Sequence, residues 1–301
     1  MARSPRNARA YALAFDAITI EGALIAPAMI ARVAAVNAKS DQTPADYGVP
    51  KGLAIRDEIA RYFRIGQALF KEFAAASTPS HRATVDFTHA LLHDVLGFAD
   101  IARTEPKQVA DRTHPITFEA LGGRVPIAVV PPADELDRPS AVLSEDGRRR
   151  SAASTLQDWL NAEEAALWGI ALNGDRLRLM RDNASLTRPA FIEADLRHIF
   201  RDEAFSDFAA LWLLIHASRF GQAGTPASDC ALERWRDAGA REGETARDRL
   251  RDGVESALLA LGNGVLSHAD NAALRARLGD GTLTNAEFFA HNIFLDLKDL
   301  R

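Results

Sequence analysis

Apolar positions in the first hundred residues recur at intervals of three and four, the spacing of amphipathic helices. Pro27 can begin a helix through AMIARVAAV, because its fixed φ suits the first helical position. Residues 55–73 repeat the pattern after a polar loop, and ATVDFTHALLHDVLGF predicts a third helix that ends at Gly97. The opening third is therefore predicted to be helical.

The pattern changes to short apolar runs from about residue 112. ITFEA and RVPIAVVPP indicate two strands joined at Gly122-Gly123. We predict a loop in PPADELDRPSAVLSEDGRRR and a helix in SAASTLQDWLNAEEA, capped by Ser151 or Ser154. FIEADL predicts one more strand.

The clearest local signal is WGIALNGDRLRLMRD, in which two strands flank Asn173-Gly174, the dipeptide that a two-residue type I′ turn prefers. This turn pairs Ile170 with Leu177 on a core face. The opposite face then carries small and basic residues, namely Gly169, Ala171, Arg176 and Arg178.

From about residue 200 the pattern is helical to the end, with Gly262 and Gly264 expected to stop the longest helix. The sequence thus predicts an α+β fold that is predominantly helical, with a small mixed β-sheet. Three regions are expected: a helical region 1–110, a sheet region 111–200 and a helical connector 201–301.

Composition excludes several classes of protein. A net charge of -5 argues against binding polyanions by bulk charge, so any nucleic-acid surface must be local. The single cysteine, Cys230, excludes an intrachain disulfide and a cysteine-rich zinc site, and is expected to be a small core residue. No secretory leader or membrane span is evident, and we expect a cytoplasmic location.

Candidate metal chemistry is sparse. His89 and His93 have the i,i+4 spacing of metal ligands, but the HExxH context is missing, and a pair on a helix surface is the commoner reading. The string Glu105-Pro106-Lys107 contains E-x-K, yet its proline is incompatible with a central strand. Asp134, Glu135 and Asp137 follow a predicted strand and are either part of a metal site or a solvated acidic loop. We assign no metal ligands.

Arginines supply the candidate DNA contacts. Guanidinium groups match phosphate oxygens bidentately, and a compact basic run precedes the helix that begins near Ser151. The candidates are Arg148, Arg149, Arg150, Arg176 and Arg178. The alternative is that these side chains are only solvated surface charges.

One long stretch, residues 156–220, carries a family pattern. It has the form Q-x-x-L-N, L-W-G-I-x-x-N-G and L-R-L-x-R-D, which here comprises Gln157, Leu160, Asn161, Leu167 to Ile170, Asn173, Gly174, Leu177, Arg178, Leu179, Arg181 and Asp182. The stretch resembles the N-terminal region of type IIG-like restriction-modification DNA adenine methyltransferases, including those of DISARM-type phage-defence systems. The resemblance extends to residues 233–278 and, more weakly, to residues 43–70.

The resemblance implies a sheet similar to a degenerate PD-(D/E)XK nuclease core, with Gln157 in the place of a recurrent helix glutamine. The chain departs from the family by lacking a D…E-x-K pair, an N-P-P-Y/F tetrapeptide and an F-x-G-x-G-like loop. S-adenosylmethionine is therefore expected in a methylase domain outside this chain. We expect a fragment, a truncated gene product or a split subunit.

The sequence is compatible with three functions. The first is a non-catalytic part of a restriction-modification DNA adenine methyltransferase, which supplies scaffold and DNA-backbone contacts beside a methylase or another defence subunit. The second is an active Mg-dependent endonuclease that uses Glu119, Asp134, Asp137 and Gln157. The third is a protein-interaction module of a defence complex. Neither the first nor the third needs a cofactor in this chain.

Overall fold

A computed structural model describes residues 15–22, 24–109, 112–145, 148–182 and 190–292. The chain divides into two compact units, residues 1–240 and residues 241–301. About half of it is helical. The helices are α1 (Pro27–Ala34), α2 (Ile55–Phe73), α3 (His81–Ala90), α4 (Ala152–Ala162), α5 (Leu196–Arg201), α6 (Phe205–Ile215), α7 (Ala231–Ser267), α8 (Ala272–Gly279) and α9 (Asn285–Asn292).

The described strands form one mixed sheet and two separate ribbons. They are β1 (Ile18–Glu21), β2 (Ala102–Arg103), β3 (Lys107–Val109), β4 (Arg112–His114), β5 (Phe118–Ala120), β6 (Val125–Val129), β7 (Ser140–Glu145), β8 (Arg148–Arg150), β9 (Trp168–Leu172), β10 (Arg176–Arg181) and β11 (Phe191–Asp195). The seven-stranded sheet has the order β1-β11-β10-β9-β6-β5-β2, and the ribbons are β3-β4 and β7-β8.

The pairing of β6 with β9 is parallel, whereas the other pairings in the sheet are antiparallel. A parallel pair needs a crossover connection, and α4 lies within it, packed on β6 and β9. The result is an antiparallel run of β2, β5 and β6, followed by a helix and a strand parallel to β6.

Helices cover both faces of this sheet near β6, and all five residues of that strand are buried. Ile127 and Val129 contribute to the larger core, which also contains residues of α2 and α6. Ala128 faces the smaller core beneath α4. Burial on two sides explains why the strand is continuously apolar rather than alternating.

Several local predictions are confirmed. Gly122 and Gly123, with φ of 66° and 91°, lie in the turn between β5 and β6, which pair antiparallel. Ser151 caps α4, because its side chain accepts from the backbone N–H of Ser154 in a capping box. Cys230 is buried in the larger core, as expected for a small apolar residue.

The predicted register of the β9–β10 hairpin is wrong by two residues. Leu177 lies opposite Leu172, not Ile170, although these side chains share the core face as expected. Gly174, with φ of 87°, takes the first central position of the turn, where type II′ turns favour glycine. Asn173 precedes the turn, and its Oδ1 accepts from the backbone N–H groups of Asp175 and Arg176.

Three other predictions differ from the structure. The expected loop between β6 and α4 contains the β7-β8 ribbon. Gly262 and Gly264 lie inside α7, which continues to Ser267. The sheet is larger than expected, because β1 and β2 extend it from outside residues 111–200. Both are edge strands of four and two residues, too short to produce a periodic signal.

Within the described ranges, no helix has both the length and the apolar character that crossing a bilayer would require.

Candidate functional site

The chain that follows β6 crosses the sheet on the side of α4. Two hydrogen bonds fix its course: Asn173 Nδ2 donates to the carbonyl of Asp134 at 3.0 Å, and the Ala153 N–H donates to the carbonyl of Leu136 at 3.0 Å. These bonds tie the acidic loop to the β9–β10 turn and to the start of α4. They bring Asp137 to the β10 side chain Arg178.

Arg178 is a buried residue at the centre of a charge cluster. Its Nη1 and Nη2 donate to the two carboxylate oxygens of Asp137 at 2.6 and 2.8 Å, and its Nε donates to Glu193 at 2.8 Å. The guanidinium also stacks over the Phe191 ring, 3.8 Å from its centroid. Hydrogen bonding by Arg178 holds the pKa of the Asp137 carboxyl below its usual value, against the opposing effect of burial.

This geometry changes the interpretation of Arg178. The residue is only 5 % exposed, and two carboxylates already occupy its donors. A guanidinium in this state offers little to a phosphate, because the existing pairs would have to break first. The arrangement favours a structural role for Arg178 over DNA contact.

The nuclease candidates do not converge on one point. Asp134 accepts a 2.5 Å hydrogen bond from Ser140, and Gln157 donates to Asn161 one turn along α4. Glu119 lies on β5 opposite Pro126. In the described part of the chain, no group of three or more histidine, cysteine or acidic side chains is placed to hold a metal ion.

The remaining arginine candidates differ in how far they are engaged. Arg150 pairs with Asp158 at 2.5 Å, and Arg176 pairs with Asp195 at 2.9 Å while staying about half exposed. Arg149 is exposed on β8 and forms no ion pair within the described residues. The Arg148 side chain lies outside what the structure describes.

A cleft of about 280 Å³ opens where β2, the start of β5 and the end of β6 meet. Val129 forms part of its floor. The Val129 N–H donates to Thr117 Oγ1 at 3.1 Å, and its carbonyl is 3.1 Å from His81 Nε2. Arg103 and Glu105 are exposed at the rim.

No sequence motif indicates this cleft. Its lining comes from segments that no single motif connects, and His81 is simply the first residue of α3. Glu105 and Pro106 lie between strands, which confirms that Glu105-Pro106-Lys107 is not a strand-borne E-x-K motif. His89 and His93 stack with centroids 5.7 Å apart, and His93 contacts Asp94 at 2.7 Å.

No protein-family model matches the chain, and neither the curated proteins nor the solved structures contain a match to it.

Proposed function

We propose that this chain is a non-catalytic, nuclease-like scaffold of a DNA adenine methyltransferase system, and that it contacts the DNA backbone while another domain or subunit transfers the methyl group. The proposal combines the family-like sequence pattern around Gln157 to Asp182 with the architecture of the first unit. Mg²⁺ has no part in this function, and S-adenosylmethionine binds to the methylase partner.

The observation that carries the proposal is the composition of β6. β6 lies between the antiparallel strand β5 and the parallel strand β9, to which α4 connects it. A PD-(D/E)XK-like core needs a carboxylate and a lysine on the strand at this position. The strand reads Val-Pro-Ile-Ala-Val and is wholly buried. The strand packs in the core, but it carries neither a carboxylate nor a lysine. Its composition therefore supports a structural role over hydrolysis.

The hydrogen bonds of Asp134 and Asp137 support the same conclusion. Asp137 is held by Arg178, and Asp134 by Ser140. A cation-binding carboxylate must present free oxygen lone pairs to the metal. In this arrangement the hydrogen bonds of both carboxylates stabilise the loop in which they lie.

The β7-β8 ribbon is the best placed DNA contact. Arg149 is exposed and has no ion-pair partner among the described residues, whereas Arg176 and Arg178 face carboxylates on the neighbouring strand β11. An exposed arginine on a ribbon provides attraction to the phosphate backbone without sequence readout. We therefore expect weak binding that depends on salt and not on DNA sequence.

Three assays on the purified chain test this function. A labelled methyl donor with duplex DNA should give no transfer, and supercoiled plasmid with Mg²⁺ should remain uncut. Fluorescence anisotropy with a 30-base-pair duplex should show binding at 50 mM salt that weakens about three- to fourfold by 200 mM, the loss expected for one phosphate contact. Methyl transfer, Mg²⁺-dependent nicking, or no duplex binding at 50 mM salt would each contradict the proposal.

A protein-interaction module is a second candidate, because α7 exposes large apolar side chains in the second unit. These are Leu250, Val254, Leu259 and Leu261, each at least 45 % exposed. Apolar patches of this kind are typical of protein contacts. If this function is the main one, duplex binding will be absent at every salt concentration.

A further inference from the structure

A cavity of about 270 Å³ lies among α1, α2 and α6. Ile59 and Leu213 are buried at its floor, and Phe205 is 40 % exposed at its rim. The remaining lining is formed by Phe15, Ala34, Ala35, Val36, Arg56, Ser206 and Ala209. An open, mostly apolar cavity with a few polar groups is the usual form of a small-molecule site.

Among the described residues that line this cavity, Arg56 is the charged one. It is exposed, and no hydrogen bond or ion pair engages it within the described residues. Ser206 is the other polar residue at the rim. One available guanidinium beside an apolar floor is complementary to a molecule with an apolar body and one anionic end.

The nearest carboxylates on the same helices have other partners. Glu58 accepts from Arg61 at 2.6 Å, and Asp207 Oδ1 accepts from the backbone N–H of Ala17 at 2.8 Å. Asp57 is exposed in the first turn of α2 and does not line the cavity. Among the described lining residues, Arg56 therefore supplies the charge that a ligand would meet.

The cavity wall includes a strained residue. Val36 has φ of 55°, a conformation that β-branched side chains rarely adopt. The Gln42 side chain stabilises this turn, because it donates to the carbonyl of Val33 and accepts from the N–H of Ala38. Such strain is found most often at ligand and active sites, since the surrounding structure must maintain it.

We propose that this cavity binds a small amphipathic carboxylate, with a hydrocarbon or aromatic body on Ile59 and Leu213 and its carboxylate on Arg56. The volume lies just below the usual range of ligand cavities, about 300–1,000 Å³, so it suits a short chain or a single ring system. Neither the β7-β8 ribbon nor strands β5, β6 and β9 line this cavity, so the site is independent of the proposed function.

Octanoate and 1-octanol, which share a hydrocarbon body and differ in charge, test the proposal by calorimetric titration of the full chain. Octanoate should bind about fivefold more tightly than octanol, the effect of one solvent-exposed ion pair. Arg56→Gln should remove that difference and leave octanol binding unchanged. Arg64→Gln, a matched change of an exposed arginine on the same helix, should preserve it.

Two cavity-filling variants locate the binding. Ala209→Trp and, at the more exposed wall, Ala35→Phe should each weaken both ligands at least tenfold, with folding checked by circular dichroism. Equal affinities for the two ligands, no effect of Arg56→Gln, or full binding by a folded filled variant would overturn the proposal. Failure of octanoate to bind at millimolar concentration would also overturn it.

Discussion

Arg178 and Asp137 neutralise each other through two hydrogen bonds of 2.6 and 2.8 Å, although 41 residues separate them in the chain. Taken separately, the arginine suggests a phosphate contact and the aspartate suggests a metal ligand. Their pairing places both in one structural cluster with Glu193. The same pairing therefore argues against a phosphate contact by Arg178 and against metal ligation by Asp137.

Removing Arg178 should destabilise the protein far more than removing Asp137. Arg178→Met leaves the mostly buried Glu193 carboxylate unpaired, which should cost about 3 kcal/mol of unfolding free energy. Asp137 is 63 % exposed, so water replaces the arginine in part, and Asp137→Asn should cost about 1 kcal/mol or less. Urea unfolding measures both values.

The Asp137 pair should also add a pH dependence. Because the folded pKa of Asp137 is lowered, its contribution is present above the unfolded value and is lost as pH falls through the folded pKa. If the difference in unfolding free energy between wild type and Asp137→Asn stays constant from pH 7 to pH 2, the pair contributes nothing to the pH dependence of stability.

His216 should make the protein less stable in mild acid. Burial lowers the pKa of its imidazole to about 4, and the Arg219 guanidinium acts in the same direction. Between about pH 6.5 and 4 the unfolded chain binds a proton that the folded chain does not, so the unfolding free energy falls as pH falls. The loss should be about 2–3 kcal/mol, measured by urea unfolding across this range.

His216→Phe isolates this contribution, because it keeps an aromatic ring against Tyr47 and Trp212. The variant should lose most of the pH dependence between pH 6.5 and 4 while remaining folded. An NMR titration that gives His216 an ordinary pKa in the wild type would contradict the explanation.

Gly174 should be intolerant of any side chain. It has φ of 87°, and an added Cβ would lie 2.4 Å from the Phe73 ring. Gly174→Ala should cost about 2–4 kcal/mol, the sum of backbone strain and overpacking. Gly224→Ala is the matched control, with φ of 80° and open space around it, and should cost about 1 kcal/mol. Equal losses of thermal stability would show that Phe73 makes no difference.

Arg149 should contribute to DNA binding more than Arg176 does. Arg149→Ala should weaken duplex binding about two- to fivefold at 50 mM salt and reduce the salt dependence, since one phosphate contact is lost. Arg176→Ala should have a smaller effect, because Asp195 already pairs with it. Affinity that is equally reduced by Arg149→Ala and by the distant Arg64→Ala would indicate bulk charge alone.

The sequence by itself determined the elements whose signals are local. The three N-terminal helices follow from spacings of three and four residues, and the start of α4 follows from Ser151 with its capping partner Ser154. The β9 and β10 strands and their shared core face follow from alternation around one turn. These features depend on residues within a few positions of each other, so one sequence is sufficient.

Only the tertiary structure decided the partners of these elements. Arg124 shows this clearly: its guanidinium donates to the carbonyls of Phe220, Gln222, Thr225, Pro226, Ala227 and Asp229. Carbonyl acceptors carry no side-chain signature, so no motif predicts such a site. The parallel pairing of β6 with β9, the Arg178–Asp137 pair and the Arg56 cavity share this origin. Each joins distant segments that meet only when the hydrophobic core is packed.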